Sequence, residues 1–311
     1  MLSARTDSWL ASFAARGHTL PADGQTRYLE TAAGRVRVFD SGGALPTVVF
    51  VPDGPNVIEH YERLFTRLKP HLRVVCFDLP GFGFSLPSGD YTHTVDQGAA
   101  TVIAILDALG IESATLAFSC GNGFYALRTA KLVPQRIASL FLAQTPSLPA
   151  MRRWTDRIVP RLLRVPVLGQ LAMWITRKRA AHGWYDIALP RSTDREPFRA
   201  PARSALACGA CFSLASVVQG LLRTRDAAIG GVTTPCTVVW GARDHSHQHT
   251  PAASLRDCVP HAELVQFDDC GHFPDLEQPE RYATLLIAHV ATQVATQAAA
   301  LAQGNAQPRA A

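Results

Sequence analysis

No stretch of the sequence approaches the ~18 uninterrupted apolar residues that a membrane-spanning helix needs, so no transmembrane segment is expected. The start, Met1 to Leu20, alternates polar and apolar residues and lacks an apolar signal core, so no secretory signal is read there. Paired cysteines are missing as well. The seven thiols (Cys76, Cys120, Cys208, Cys211, Cys236, Cys258 and Cys270) are odd in number and scattered. That argues against a disulfide framework and suits a reduced, cytoplasmic protein. There is no phosphate-binding G-x-x-x-x-G-K-[ST] loop, and Gly81-Phe82-Gly83 does not complete a dinucleotide fingerprint. Cys208-Gly209-Ala210-Cys211 lacks the second cysteine pair that a four-thiolate zinc site needs. His245, His247 and His249 alternate on one segment, but no second ligand cluster accompanies them. Neither a cofactor nor a metal is therefore expected. Internal repeats are absent too.

What is present is ample core material. The chain has 311 residues, 47% hydrophobic and 18% charged, which excludes disorder for its bulk. The net charge of +5 is unevenly placed. Residues 151–230 carry 14 Arg and Lys against 5 Asp and Glu, a net of +9, and the rest carries 16 against 20, a net of −4. A basic segment of this kind attracts acidic partners.

Short runs such as Thr47–Val51 (TVVFV), Arg73–Phe77 (RVVCF), Ala114–Phe118 (ATLAF), Leu140–Ala143, Thr237–Trp240 and Ala262–Phe267 are apolar and mostly β-branched or aromatic. Strands of this type are buried on both faces, which implies a parallel sheet covered by helices. Thr26–Glu30 and Arg35–Asp40 read as a preceding hairpin. Helices are expected over His60–Leu68, over Val95–Leu109 with Thr94 as cap and Gly110 as stop, and over Phe124–Val133 before Pro134. Thr250-Pro251 reads as a cap and first-turn proline for a helix reaching Cys258. Residues 146–230 break the alternation with Arg- and Trp-rich helices. The expected class is α/β: a mostly parallel core over 1–145 and 231–295, a helical cap over 146–230, and a flexible tail over 296–311. Residues 161–179 are amphipathic and cationic. Packing as a lid is preferred there over docking on an anionic membrane.

Four segments fall at the carboxyl ends of expected strands, where open α/β sheets place ligands: Val51–Asn56, Phe118–Gly123, Trp240–Asp244 and Asp269–Pro274. In chain order they offer a nucleophile on a strand-to-helix turn, an acid and a histidine. Together with Asp78-Leu79-Pro80-Gly81-Phe82-Gly83-Phe84-Ser85 and Pro134-Gln135-Arg136-Ile137, this resembles the α/β-hydrolase superfamily over residues 26–290.

Two nucleophile registers compete. Ser119 has small flanks, Ala117 and Gly121, as the family's G-x-S-x-G elbow requires; Cys120 has Phe118 and Asn122. The surrounding frame favours Cys120, because Ala114, Thr115, Leu116, Gly123, Ala126, Leu127, Pro134 and Arg136 then match the family without a gap. The resemblance implies Asp244 orienting His272 as the general base. It places oxyanion donors at Gly121 and Gly54, although the family's His-Gly dipeptide is here Pro52-Asp53. A helix N-terminus is expected to lower the thiol's pKa.

A cysteine nucleophile resembles the acyltransferases that shuttle acyl or aminoacyl groups between carrier proteins in nonribosomal-peptide and polyketide pathways. That implies an acyl-thioester substrate linked to phosphopantetheine, a Cys120 acyl-enzyme, and an acidic carrier protein docking on the basic cap. Nucleic acid is not expected as a partner. An esterase or thioesterase using Ser119 or Cys120 is the alternative, and a non-catalytic binding module with a decayed site is the third reading.

Overall fold

A computed structural model describes residues 2–306. Its strands are β1 (Thr26–Thr31), β2 (Gly34–Asp40), β3 (Thr47–Val51), β4 (Arg73–Phe77), β5 (Phe82–Gly83), β6 (Leu86–Pro87), β7 (Ala114–Phe118), β8 (Ile137–Ala143), β9 (Cys211–Phe212), β10 (Cys236–Gly241) and β11 (Glu263–Phe267). The main sheet runs β1-β2-β4-β3-β7-β8-β10-β11, with β6 beside β2. Pairing is parallel from β4 to β11 and antiparallel at the β1–β2–β4 edge.

The apolar runs become central strands because both of their faces are covered. Side chains alternate across a strand. Val49, Val51, Leu116 and Phe118 enter one core, and Val48, Phe50, Ala117 and Phe141 enter the other. An alternating polar pattern would leave one of these layers unfilled.

The helices are α1 (Leu2–Ala15), α2 (Glu62–Leu68), α3 (Val95–Ala108), α4 (Gly123–Leu132), α5 (Leu148–Ile158), α6 (Leu168–Ala188), α7 (Glu196–Ala207), α8 (Leu214–Arg223), α9 (Pro274–Glu277) and α10 (Pro279–Ala306). Helix α3 starts where the Thr94 hydroxyl accepts the Gln97 N–H and stops before Gly110, at φ +61°. Helices α5 to α8 lie between β8 and β10 in the chain. They are tied to the core by the small ribbon β5–β9, in which Phe82 faces Phe212. Among the described residues no helix is long and apolar enough to cross a membrane.

Three local details refine these expectations. Helix α1, which falls within the span 1–145 read as core, packs on the core strand β6 and also on α6 and α8: Ser216 donates to Asp7, and Phe13 meets Trp174 edge-on. Thr250 does not cap a helix. Its hydroxyl pairs with His247 Nδ1 at 3.1 Å, and a short 3-10 stretch, Ala252–Asp257, follows Pro251. Residues 296–306, read as part of a flexible tail, continue α10, and 307–311 lie outside the described residues.

Candidate active site

The turn between β7 and α4 sets the site. Cys120 sits there at φ +54°, a left-handed conformation that bulky residues avoid. Such a turn lifts one side chain out of the strand end toward the cleft. The close approach of helix and sheet that it requires is supplied three residues on. A Cβ at Gly123 would lie 2.3 Å from Thr145 Oγ1. Thr145 Oγ1 in turn donates to the Cys120 carbonyl at 3.0 Å. With Gly123 taking the tight contact, the larger flanks of Cys120 fit: Phe118 is buried within the sheet, and Asn122 Nδ2 reaches the Pro52 carbonyl at 3.2 Å.

Ser119 faces elsewhere. Its hydroxyl donates to Asp275 Oδ2 at 3.3 Å, beside the Tyr61 hydroxyl at 3.0 Å. Burial raises the Asp275 pKa to about 6 against these two donors. Cys120 instead meets the histidines: its Sγ and one ring nitrogen each of His247 and His272 all lie within 4.8 Å of one another.

Asp244 and His272 come together from the ends of β10 and β11. His272 Nδ1 lies 2.6 Å from Asp244 Oδ2. Gln144 Nε2 donates to the same oxygen at 2.7 Å, while Ser246 N–H and Oγ–H hold Oδ1. Burial alone would raise the Asp244 pKa, but His272 and these donors outweigh it and bring it down to about 2. The loop bearing His272 is pinned by Glu277, which accepts from the Gly271 and Phe273 N–H groups at 2.9 and 3.0 Å.

Two participants were not anticipated from the sequence. Asp53, read only as a departure from a dipeptide, places Oδ2 3.0 Å from His272 Nε2. His247, one of three alternating histidines, turns inward while His245 and His249 stay exposed. Its ring is sandwiched between Trp154 and His272, at centroid distances of 5.0 and 5.3 Å. Burial drops its pKa to about 3, so it is neutral. As metal ligands the two histidines are poorly disposed: their rings are nearly parallel, 24° apart, so one ion cannot lie in both ring planes.

The charges follow from this geometry. Burial disfavours the His272 imidazolium, yet Asp244, the Cys120 thiolate and Asp53 outweigh it and hold the pKa well above the usual histidine value. The Cys120 thiol is pushed up, by burial first and then by the Asp53 charge, against the lowering effect of His272. The expected depression by the helix N-terminus is therefore overridden. Burial raises the Asp53 pKa as well, against the hydrogen bond and charge of His272, so the site sets a His272–Asp244 ion pair beside a neutral thiol, with the Asp53 carboxyl on Nε2.

Gly54 and Gly121 flank the thiol in a cavity of about 510 Å³. A Cβ on Gly54 would lie 2.7 Å from the Phe82 ring, so only glycine lets its backbone run there. Apart from Asp53, Asn122, Thr155, Thr176 and the exposed Arg179, the wall residues are apolar, with Met151, Trp154, Trp184 and Val218 among them. Arg177, also in the basic cap, is not free: its guanidinium lies 3.6 Å from the Trp174 ring centre.

The comparisons match this architecture. A 2-hydroxymuconate semialdehyde hydrolase of Pseudomonas sp. (strain CF600) is 26% identical over 82% of this chain and 90% of that protein. A pimeloyl-[acyl-carrier protein] methyl ester esterase of Xanthomonas campestris pv. campestris is 27% identical over 83% of this chain and 96% of that protein. The crystal structure of a haloalkane dehalogenase loop variant from Bradyrhizobium elkanii superposes with a TM-score of 0.64 at 21% identity, covering 88% of this chain and 98% of that one. The pattern described as "Alpha/beta hydrolase family" matches residues 48–285. The chain is an enzyme of the alpha/beta hydrolase family.

Proposed function

We propose that the enzyme transfers acyl or aminoacyl groups from thioesters through a covalent Cys120 acyl-enzyme, with His272 and Asp244 completing the triad. The observation that carries this reading is the Cys120 thiol at the left-handed elbow, beside a histidine whose other nitrogen is held by a buried aspartate. The thiol first loses its proton to solvent, and the thiolate, held beside the His272 imidazolium, attacks the thioester carbonyl. The Gly121 and Gly54 N–H groups, at the cavity wall beside the thiol, are the donors assigned to the oxygen that becomes negative. The C–S bond of the donor breaks, His272 protonates the departing thiolate, and the imidazole, whose pKa its carboxylate neighbours raise, regains a proton from solvent. A cysteine acyl-enzyme is itself a thioester, so exchange with a second thiol is nearly isoenergetic.

The apolar cavity suits an acyl chain, and a relative is named for an ester of a carrier-borne acyl group. Arg157, Arg161 and Lys178 are exposed on the cap, where an acidic carrier protein would be steered. Hydrolysis is the second reading, favoured by the hydrolase and esterase names of the relatives. Mass spectrometry after mixing with an acyl-pantetheine thioester tests both. Transfer gives an adduct on Cys120 that persists until a thiol is added; hydrolysis gives free acid without a lasting adduct. Absence of any adduct or turnover with thioesters overturns the proposal.

A further inference from the structure

We propose that Asp53 selects the acceptor: it holds the station on His272 from which water would be activated, and so directs the acyl group to thiols. This rests on the Cys120 acyl-enzyme proposed above.

The geometry begins with His272. One nitrogen is committed to Asp244, so Nε2 alone faces the reacting atoms. A water that attacks an acyl-enzyme must sit within hydrogen-bond reach of that nitrogen, ~2.6–3.2 Å, to give up its proton. Asp53 Oδ2 stands 3.0 Å from it. The Asp53 side chain lies in the cavity wall beside Cys120 and Gly54, and only 14% of it is exposed. While this contact persists, Nε2 has no lone pair to offer and no room for water.

The two acceptors need the base to different degrees. Water has a pKa of about 15.7 and must lose its proton in the transition state. A thiol of pKa about 8.5 is partly ionised before it arrives. As a thiolate it attacks the acyl carbon, its S–C bond forms, and the bond from the acyl carbon to Cys120 Sγ breaks. The released Cys120 thiolate takes the proton already on His272. The thiol's own proton has gone to solvent, so the step balances without Nε2 acting as a base. An alcohol acceptor shares the handicap of water. The same site thus accepts thioesters and returns thioesters while leaving the acyl-enzyme shielded from hydrolysis.

The test measures how one acyl-enzyme divides between two fates. The enzyme is loaded from a radiolabelled acyl-pantetheine, freed of excess donor, and offered pantetheine in water. The ratio of free acid to new thioester is read, which does not depend on how much protein is folded. Asp53→Gly opens the station, and the ratio is expected to rise at least tenfold. Asp53→Asn keeps an acceptor oxygen but loses the charge, and an intermediate ratio is expected. An unchanged ratio in Asp53→Gly, with its acyl-enzyme formed, overturns the role of Asp53 and leaves the acyltransferase reading standing. A wild-type protein that forms no Cys120 adduct overturns both.

Discussion

His247 lies flat against His272, with ring centroids 5.3 Å apart and planes 24° from parallel, and Trp154 covers its far side. The hydrogen bonds to Asp244 and Asp53 fix the two nitrogens of His272, and His247 fixes the plane of the ring between them. A neutral aromatic of this size is what the position requires, because a second positive charge there would repel the imidazolium.

His247→Ala is therefore expected to lower kcat about 10- to 100-fold through misalignment of His272, with KM little changed. His247→Phe keeps the stacking surface and should recover most of the loss. Steady-state kinetics of the two variants decide this. Equal losses in both would assign His247 a role through its nitrogens.

Cys120→Ala should abolish adduct formation, and Cys120→Ser should reduce acylation by at least about a hundredfold, since an alkoxide is harder to form than a thiolate. Ser119→Ala should still be labelled on Cys120, with a stability loss of about 1 kcal/mol for the Asp275 hydrogen bond. Adduct mapping by peptide mass spectrometry separates the two sites.

The pH profile of single-turnover acylation should be bell-shaped. The thiol must ionise on the acid side, and the imidazolium must survive on the alkaline side to protonate the leaving thiol. Asp53 raises both pKa values, adding to the effect of burial on the thiol and opposing burial at the imidazole. Removing its charge in Asp53→Asn lowers both, so the whole bell should move toward acid pH. A shift of one limb only would mean that Asp53 acts on one partner alone.

Triple reversal of Arg157, Arg161 and Lys178 to Glu should lower kcat/KM for a carrier-bound acyl donor about tenfold at low salt. Acyl-pantetheine should be used nearly as before. These three residues stand clear of the cavity wall, unlike Arg179. Equal loss with both donors would remove the electrostatic support for carrier docking.

Gly123→Ala should destabilise the enzyme by about 1–3 kcal/mol, because the added methyl meets Thr145 Oγ1 and only a backbone shift relieves it. A lowered denaturant midpoint with an unchanged m-value is the expected signature.

The fold was legible because the central strands are apolar on both faces, a pattern that few other environments produce. At the elbow, the frame of Gly123, Pro134 and Arg136 pointed to Cys120 where the flanks Phe118 and Asn122 obscured it, and Cys120 is the residue in the left-handed conformation. Asp53 was not, because a residue after a strand end can turn either way, and only the position of His272 shows that this one turns inward. His247 was hidden among three alternating histidines whose burial depends on Trp154, a residue of the cap far away in sequence. Helix α1 escaped notice because its burial is completed by partners distant in sequence, β6, α6 and α8, not by its own periodicity. Thr250-Pro251 resembled a helix start, but the Thr250 hydroxyl is already engaged by His247.

The His272 N–H donates to the carbonyl of Ala188, the last residue of α6, at 2.9 Å. This main-chain bond ties α6 to the loop bearing His272, alongside the packing of Trp184 on His272 and of Tyr185 and Phe198 on Phe273. Lifting α6 as a rigid body to admit a bulky acyl group would either snap that bond or drag the imidazole off Asp244. The door and the engine share a shaft, and the enzyme idles whenever the door swings wide. Amide hydrogen exchange at His272 should then report cap opening directly: slow while a long-chain acyl group fills the cavity, and faster as the cap lifts.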